Sequence, residues 1–421
     1  MMRSLFSAVS GLKTHQQRMD VIGNNIANVN TPGFKKSRVT FQDMLNQTIR
    51  GASRPVDNGR GGTNPIQIGL GVTMGSIDTI MTSASLQETG KMTDLGIDGE
   101  GFFILAEKEA GREFYTRVGS FDFDSNGNLV SNLNGMHVLG WLADTTGRIN
   151  SEQDPVILKI NLNETEPAKA TENIVFAGNL DSRLAINDTV TVRQTVYDSL
   201  GNTYTAVIEF TNTGGGNWTC KLINMLNSAG NSIAPPGTYQ GEGTVSFNNE
   251  GKWQSYSETN PFKFDPDGTG YLAEVNITPD FSKMTQYAAE TTATVQSQDG
   301  YPSGVLESLT IDQSGTIVGV FSNGTTRALA QVALRRFTNP AGLLKAGNSL
   351  FIESSNSGKI DPAPPGTSGY GTIKPGSLEM SNVDLSSEFT DLIVTQRGFQ
   401  ANSRVITASD EMLQELVNLK R

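Results

Sequence analysis

The segment LIVTQRGFQANSRVITASDEMLQEL, residues 392–416, carries an apolar residue at every seventh position. The same series extends back to Leu385, and a second, more polar series with equal spacing begins at Phe389. A seven-residue repeat with one apolar stripe predicts a helix that packs lengthwise against another helix. The predicted contact positions of this helix are Leu385, Phe389, Leu392, Phe399, Ile406 and Leu413.

The N-terminal segment repeats this design. It contains no proline between Ser4 and Val29, and its seven-residue series consists of Leu5, Leu12, Met19 and Ile26. Two helices at opposite ends of one chain would each leave an apolar stripe in water, and pairing the two ends would bury both stripes. We therefore predict that the terminal helices pair in a coiled-coil-like layer. Periodicity alone leaves open an ordinary amphipathic helix lying on a local core.

The middle of the chain lacks this period. Short β-branched or aromatic runs, such as GFFIL (101–105) and TYTAVIEF (203–210), alternate with turn dipeptides such as Asn126-Gly127. This alternation predicts antiparallel strands joined by hairpins. The predicted fold class is therefore α+β and mainly β, with antiparallel β domains nested in one another and helices at both ends.

Two polar breaks, at residues 151–173 and 282–304, predict the outgoing and returning linkers of an inserted domain. Stretches rich in glycine, proline and serine at 51–64 and 354–376 indicate extended connectors. The predicted division is a terminal helical domain (1–30 with 384–421), an extended connector (31–71 with 366–383), an inner β domain (72–149 with 295–365) and an inserted outer β domain (150–294).

Composition excludes several classes of function. The 421 residues include 43 acidic and 32 basic side chains, a net charge of −11, which argues against nucleic-acid binding. Two histidines and one cysteine cannot form an ordinary structural zinc site. No run approaches the roughly 18–20 apolar residues that span a bilayer, so we expect no membrane insertion. The first residues become polar too soon for a cleavable secretory signal.

No motif in the sequence indicates catalysis. The chain has no phosphate-binding loop and no nucleophile elbow, and His15 and His137 are expected to be structural. Residues 122–127 match the opening of an EF-hand loop, but Leu133 occupies the position of the bidentate glutamate, so a β-turn is the better interpretation. We therefore expect no enzyme activity, no cofactor and no metal.

The single cysteine, Cys220, lies in a strand-like run, and a small, half-buried side chain is the simpler interpretation. The alternative is a crosslink between subunits through Cys220 or a nearby lysine such as Lys221.

The most specific motif is NNIANVNTPGFK, residues 24–35. Proline cannot continue a helix, the following glycine permits a sharp bend, and the phenylalanine offers an apolar anchor. The asparagines place amide donors and acceptors around a helix end, where they can bond their own backbone or a neighbouring chain. The candidate site residues of this motif are Asn24, Asn25, Asn28, Asn30, Pro32, Gly33 and Phe34.

This motif resembles the N-terminal signature of the bacterial flagellar axial proteins, the rod and hook family. The segment 392–416 is similar to the C-terminal helix of that family, and residues 95–105, 114–130 and 135–141 resemble its shared β domain. The additional stretch of roughly 150–290 resembles the outer domain of the hook-type members.

The resemblance implies a structural subunit of a curved, flexible tube that transmits torque from the rod to the filament. Its terminal helices would line a channel through which later subunits pass. The implied partners are further copies of the chain, the distal rod protein, the hook cap, the hook–filament junction protein and the flagellar type III export apparatus. The implied location is extracellular, after export without a cleavable signal.

Two alternatives remain at this stage. A distal rod protein would share the helices and the first β domain but form a stiff shaft. A secreted β-rich carbohydrate-binding or hydrolytic protein would need a cleft with converging carboxylates, and it would not explain matched heptad series at both ends.

Overall fold

The structure is a computed structural model that describes residues 2–55, 61–108, 111–233, 239–266 and 274–418. Helix α1 (Met2–Ala27) begins the chain and helix α2 (Leu385–Asn418) ends it. The carboxylate of Asp384 caps α2, since its Oδ1 accepts a hydrogen bond from the Ser386 N–H at 2.9 Å.

Between the helices the described residues form 29 strands and one 3₁₀ turn (Pro340–Gly342). In chain order the strands are β1 (Ser37–Asp43), β2 (Asn46–Arg50), β3 (Ile66–Gly69), β4 (Val72–Thr79), β5 (Leu86–Glu88), β6 (Leu95–Asp98), β7 (Phe102–Ala106), β8 (Glu113–Thr116), β9 (Phe121–Phe123), β10 (Leu129–Ser131), β11 (His137–Leu142), β12 (Val156–Ile157), β13 (Thr165–Glu166), β14 (Asn173–Asn179), β15 (Thr189–Tyr197), β16 (Thr203–Gly214), β17 (Asn217–Asn227), β18 (Tyr239–Phe247), β19 (Trp253–Phe264), β20 (Val275–Thr285), β21 (Thr294–Gln298), β22 (Gly304–Ile311), β23 (Thr316–Phe321), β24 (Thr326–Val332), β25 (Leu334–Arg335), β26 (Leu344–Gly347), β27 (Leu350–Ile352), β28 (Thr372–Pro375) and β29 (Ser377–Glu379).

The chain divides into two compact units. The first contains residues up to 161, residues 310–318 and the chain from 327 onward, and the second contains residues 162–309 with 319–326. The second unit is therefore inserted into the sequence of the first.

The first unit contains both helices and an antiparallel sheet in which β11 pairs with β7 and β24, and β7 continues through β8 to β27 and β26. Aromatic rings fill the core beside this sheet, and Phe102 contacts Phe337 and Phe351 edge-to-face with centroids 5.8 Å apart. Strands β1 and β4 form a long antiparallel ladder from Ser37↔Thr79 to Asp43↔Val72, which β2 and β3 extend. The short pairs β5–β29 and β6–β28 attach the returning chain before α2.

The second unit is built on an eight-stranded sheet with the order β15-β16-β17-β18-β19-β20-β14-β21. All its neighbouring strands are antiparallel except β14 and β20, which are parallel. Its core contains the fully buried Phe176, Phe210, Trp218 and Phe281, and the rings of Phe176 and Phe281 stack with centroids 4.9 Å apart.

One turn design recurs through both units. In each copy an Asp or Asn side-chain oxygen accepts the N–H groups of the residues two and four positions later, at 2.7–3.1 Å. A glycine three positions after the acceptor has a positive φ between 70° and 85°, which L-residues adopt only with strain. The six acceptors are Asp124, Asp144, Asp198, Asn227, Asn248 and Asp312.

The predicted fold class is confirmed, because the chain is mainly antiparallel β and its terminal helices pack together. The borders at 150 and 294 and the division of the remaining chain into three domains stay predictions. The segment assigned to the first half of the connector, 31–71, contains β1, β2 and β3, and β4, the partner of β1, begins at Val72.

We predict that Asp198→Ala lowers the free energy of unfolding of the second unit by about 1–3 kcal/mol, because the turn N–H groups of Leu200 and Asn202 lose their buried acceptor. Asp198→Asn is the matched control, since asparagine fills the same role at 227 and 248. Calorimetric unfolding measures both, and equal losses in the two variants would contradict this account of the turn.

Candidate functional site at the paired terminal helices

Helices α1 and α2 run antiparallel and approach closely at two glycines. A Cβ atom at Gly11 would lie 2.7 Å from Asn402 Nδ2, and a Cβ atom at Gly398 would lie 2.7 Å from His15 Cε1. Each glycine therefore makes room for a larger polar side chain of the opposite helix. Glycine in a helix interior costs about 1 kcal/mol relative to alanine, and here that cost is offset by close packing.

Polar groups fix the register of the pair toward its other end. Arg18 Nη2 lies 2.9 Å from Asp391 Oδ1, and Asn25 Nδ2 donates to Glu388 Oε2 at 3.1 Å. The ion pair is partly exposed, so its contribution to stability is at most about 1 kcal/mol. Glu388 is buried, and its second oxygen lies 3.5 Å from Lys36 Nζ.

The most deeply buried residues of the two helices are mainly small or polar. The buried side of α1 carries Ala8, Gly11, Thr14, Ile22 and Asn25. On α2 the buried residues are Glu388, Thr395 and Ser409, and Asn402 belongs to the same seven-residue series. The apolar side chains that defined the two heptad series are therefore only partly covered within one chain.

The ten positions predicted as an assembly seam lie beside these residues. Leu5, Leu12, Met19, Ile26, Leu392, Phe399, Ile406 and Leu413 are half-buried, whereas Leu385 and Phe389 are exposed. Their role in contacts between copies stays a prediction.

Further large apolar side chains on the two helices face solvent. On α1, Phe6 is 67% exposed, and on α2, Phe389 is 51% exposed. Exposed apolar side chains in this number along two helices favour surfaces that another molecule covers. The other exposed members are Met2 and Val9 on α1 and Leu385, Ile393, Val394, Val405, Met412 and Val417 on α2.

The buried Asn25 joins the helix pair to the first β ladder. Its Nδ2 donates to the Ser37 carbonyl at 2.8 Å, and its Oδ1 accepts the Ser37 N–H at 3.0 Å. Together with the bond to Glu388, these contacts tie α1, α2 and the start of β1 to one side chain. Among the four asparagines of the motif, this one is fully buried, while Asn24 and Asn30 are exposed.

The rest of the motif forms the bend that leaves α1. Asn28 Nδ2 donates to the Asn24 carbonyl at 2.9 Å, and Pro32 follows with Gly33 in a left-handed conformation, φ 65°. A Cβ atom at Gly33 would lie 2.8 Å from Val118 Cγ2, and its N–H donates to the Glu379 carbonyl at 2.7 Å. The half-buried ring of Phe34 lies 5.3 Å from the Lys345 ammonium.

A buried group of charges that the sequence pattern does not predict follows the motif. Lys35 Nζ lies 2.7 Å from Glu379 Oε1, and Arg117 Nη1 lies 3.6 Å from Glu379 Oε2. Burial lowers the pKa of Lys35, although Glu379 opposes this shift. In the sequence these three residues appear only as charged side chains near glycine or proline. That pattern is equally typical of a solvated linker.

These charges connect three separated stretches of the chain. Lys35 follows α1, Arg117 follows β8, and Glu379 ends β29 shortly before α2. Removing one member of such a group leaves an uncompensated buried charge, which costs about 3–5 kcal/mol. The group therefore fixes where both helices leave the β domain.

His15 and Asp124 each make contacts within the fold of the first unit. His15 packs edge-to-face on Phe41 with centroids 5.6 Å apart, and burial and the Arg18 charge lower its pKa. Asp124 accepts its own turn N–H groups, as the β-turn interpretation predicts. No group of three or more His, Cys, Asp or Glu that could hold a metal occurs among the described residues.

Cys220 is fully buried in the core of the second unit, and burial raises the pKa of its thiol. Both properties disfavour its reaction with another subunit.

Over its described residues, neither helix is long and apolar enough to cross a membrane.

Comparison with known proteins gives matches along most of the chain. Residues 5–35 match the flagella basal body rod protein family, 96–176 the flagellar hook protein FlgE/F/G D1 domain, 161–301 the flagellar basal body protein FlaE D2 domain, and 374–419 the flagellar basal body rod FlgEFG protein C-terminal region.

Similar proteins match over the whole length of both chains. The flagellar hook proteins FlgE of Borreliella burgdorferi and Treponema pallidum are 46% and 40% identical to this chain. The flagellar basal-body rod protein FlgG of Bacillus subtilis is 33% identical, also over both full lengths. Among solved structures, the Helicobacter pylori flagellar hook protein FlgE2 has a similar fold, with a TM-score of 0.55 at 15% identity, over 70% of this chain and all of that one.

We predict that Gly11→Leu disrupts the helix pair, because the added side chain would occupy the position of the Asn402 amide. Gly23→Leu is the matched control, since a Cβ at position 23 meets no atom within 4 Å. Limited proteolysis of the two variants should show faster cleavage within α1 and α2 for Gly11→Leu only. Equal resistance to the protease would contradict the observed helix contact.

Proposed function

The chain belongs to the family of bacterial flagellar hook proteins, and we propose that it is a hook subunit that polymerises into a curved, flexible tube. In this tube the paired terminal helices form the inner, channel-lining layer and the β units form the outer layers. The tube transmits torque from rod to filament and passes exported subunits through its channel.

The observation that carries this proposal is the incomplete burial of the helix pair. Phe6 and Phe389 remain more than half exposed although the helices already contact each other. Covering an exposed side chain of this size stabilises an assembly by about 1.5–3 kcal/mol. Many copies placed side by side would bury these flanks without changing the contact inside each chain.

Small and polar residues between the two helices support a division of roles. The glycine contacts and the Asn25–Glu388 bond hold one copy together, so the larger apolar residues stay available for neighbours. A head-to-tail contact that does not close on itself produces a helical polymer. The tube would therefore be held together by contacts that differ from those that fold the monomer.

Flexibility would arise in the outer layers. A bent rotating tube changes the spacing between neighbouring subunits once per turn, which favours outer contacts that exchange easily. The second unit buries most of its phenylalanine side chains in its own core, around Phe176 and Trp218. Its role in the polymer would then rest on weak polar contacts, whereas cohesion rests on the helices.

The proposed partners are further copies of the chain, the distal rod protein, the hook cap, the hook–filament junction protein and the flagellar type III export apparatus. The proposed location is the extracellular hook, reached by export without a cleavable signal. The proposed role is structural and not enzymatic.

A distal rod protein is the second candidate, favoured by the 33% identity to the Bacillus subtilis rod protein over both full lengths. The two candidates differ in the mechanics of the polymer. Electron micrographs of the purified polymer should show curved tubes if the chain forms a hook, and straight rigid tubes would support the rod.

We predict that Phe389→Asp raises the concentration needed for polymerisation by at least about tenfold, because a charge replaces an apolar contact worth roughly 1.5–3 kcal/mol. Gln400→Asp is the matched control, since it places the same charge at an exposed polar position of the same helix. Sedimentation measures polymer formation, and calorimetry checks that both monomers remain folded. Normal polymerisation of Phe389→Asp would contradict the proposed role of this surface.

A further inference from the structure

A cavity of about 410 Å³ lies beside the bend that follows α1. The motif contributes one wall, and the hairpin of β26 and β27 contributes the other. Its lining includes Asn24, Asn28, Phe34, Lys345, Leu350 and Phe351. Asn24 Oδ1 accepts a hydrogen bond from Asn28 Nδ2 at 3.2 Å, but the fold of a single copy assigns no role to the cavity itself.

The lining favours an occupant that carries a carboxylate next to an apolar side chain. The Asn24 amide and the Lys345 ammonium supply hydrogen-bond donors, while two phenylalanines and a leucine supply apolar walls. The Asn28 amide already donates to the Asn24 carbonyl and to Asn24 Oδ1. Lys345 Nζ donates to the Lys35 carbonyl at 3.2 Å and to Ser37 Oγ at 3.0 Å, which leaves one of its three donor positions for a ligand.

No acidic residue is present among the described residues that line the cavity. Burial lowers the pKa of Lys345, and no carboxylate offsets this shift. A carboxylate from outside would pair with the ammonium and fill the cavity at the same time.

The last turns of α2 have the complementary chemistry. Between residues 405 and 418 they carry Asp410, Glu411 and Glu415 but no basic residue, whereas Arg404 precedes this stretch and Lys420 and Arg421 follow it in the sequence. The exposed apolar side chains of Met412 and Val417 lie on the same turns.

The helix pairing prevents these turns from reaching the cavity of their own chain. Because Asn25 contacts Glu388, the cavity lies at the end of the pair where α2 begins. Glu415 is 27 residues further along α2, which corresponds to about 40 Å of helix. The acidic end can therefore enter this cavity only in another copy.

We propose that the cavity beside the NNIANVNTPGFK bend receives the acidic last turns of α2 from a second copy of the chain, with Glu411 or Glu415 bound by Lys345. The contact rests on the proposed function, since it is one of the contacts of the self-assembled tube. It is heterologous, because each copy offers a cavity at one end of its helix pair and an acidic helix end at the other. Repetition of such a contact produces an open polymer.

Charge reversal tests this contact directly. Lys345→Glu alone and the double change Glu411→Lys with Glu415→Lys should each raise the polymerisation concentration about tenfold or more, which corresponds to the loss of about 1.4 kcal/mol. The three changes combined should restore polymerisation to within about threefold of the unchanged chain. Lys108→Glu, which reverses an exposed lysine of the same unit, is the control and should have little effect.

Two results would overturn the proposal. One is normal polymerisation of both reversed variants while Phe389→Asp remains defective, which would leave the proposed function intact. The other is failure of the combined variant to recover although its thermal unfolding matches that of the unchanged chain. Loss of polymerisation in the unchanged chain itself would instead contradict the proposed function.

A crosslink keeps the proposal testable if the Lys345 variant does not fold. Polymers formed from an equal mixture of Asn24→Cys and Glu415→Cys copies should give disulfide-linked dimers on oxidation, because the two positions meet between copies. Cys220 is fully buried and should not compete. Absence of dimers from the mixed polymer would overturn the proposed contact.

Discussion

The close contact between the two ends of the chain is the constraint on which the rest of the structure depends. Gly11 and Gly398 let the helices approach, and Asn25 joins both of them to the start of β1. Because the closest contacts use small and polar residues, they determine the register of the pair while the large apolar side chains stay partly or fully exposed. The same monomer can therefore be folded and still have apolar surface for assembly.

The buried charges of Lys35, Arg117 and Glu379 extend this constraint into the first β unit. They join the segment after α1, the sheet and the segment before α2 at one point. A buried ion pair is weak evidence for stability, but it penalises any arrangement that leaves one charge unpaired. The helices thus leave the β domain at a defined place, which a subunit needs if its inner and outer layers are to repeat regularly in a tube.

The sequence predicted the mainly β class and the pairing of the terminal helices, because periodicity and turn residues are local signals. It could not distinguish the polar stripe that is buried most deeply in the helix pair from the apolar stripes beside it. The series from Glu388 through Thr395 and Asn402 to Ser409 also has seven-residue spacing, but a polar series gives no hydrophobic signal. The Lys35–Glu379 pair joins residues 344 positions apart, and single-sequence reasoning has no signal for such a distance.

A reconstruction of the assembled polymer by electron cryomicroscopy, at a resolution that shows side chains, tests the account most directly. It should show α1 and α2 of one chain antiparallel, with Gly11 against Asn402, and Phe6 and Phe389 buried against neighbouring copies. Helices of one chain that lie apart in the polymer, or apolar flanks that face open solvent, would contradict it.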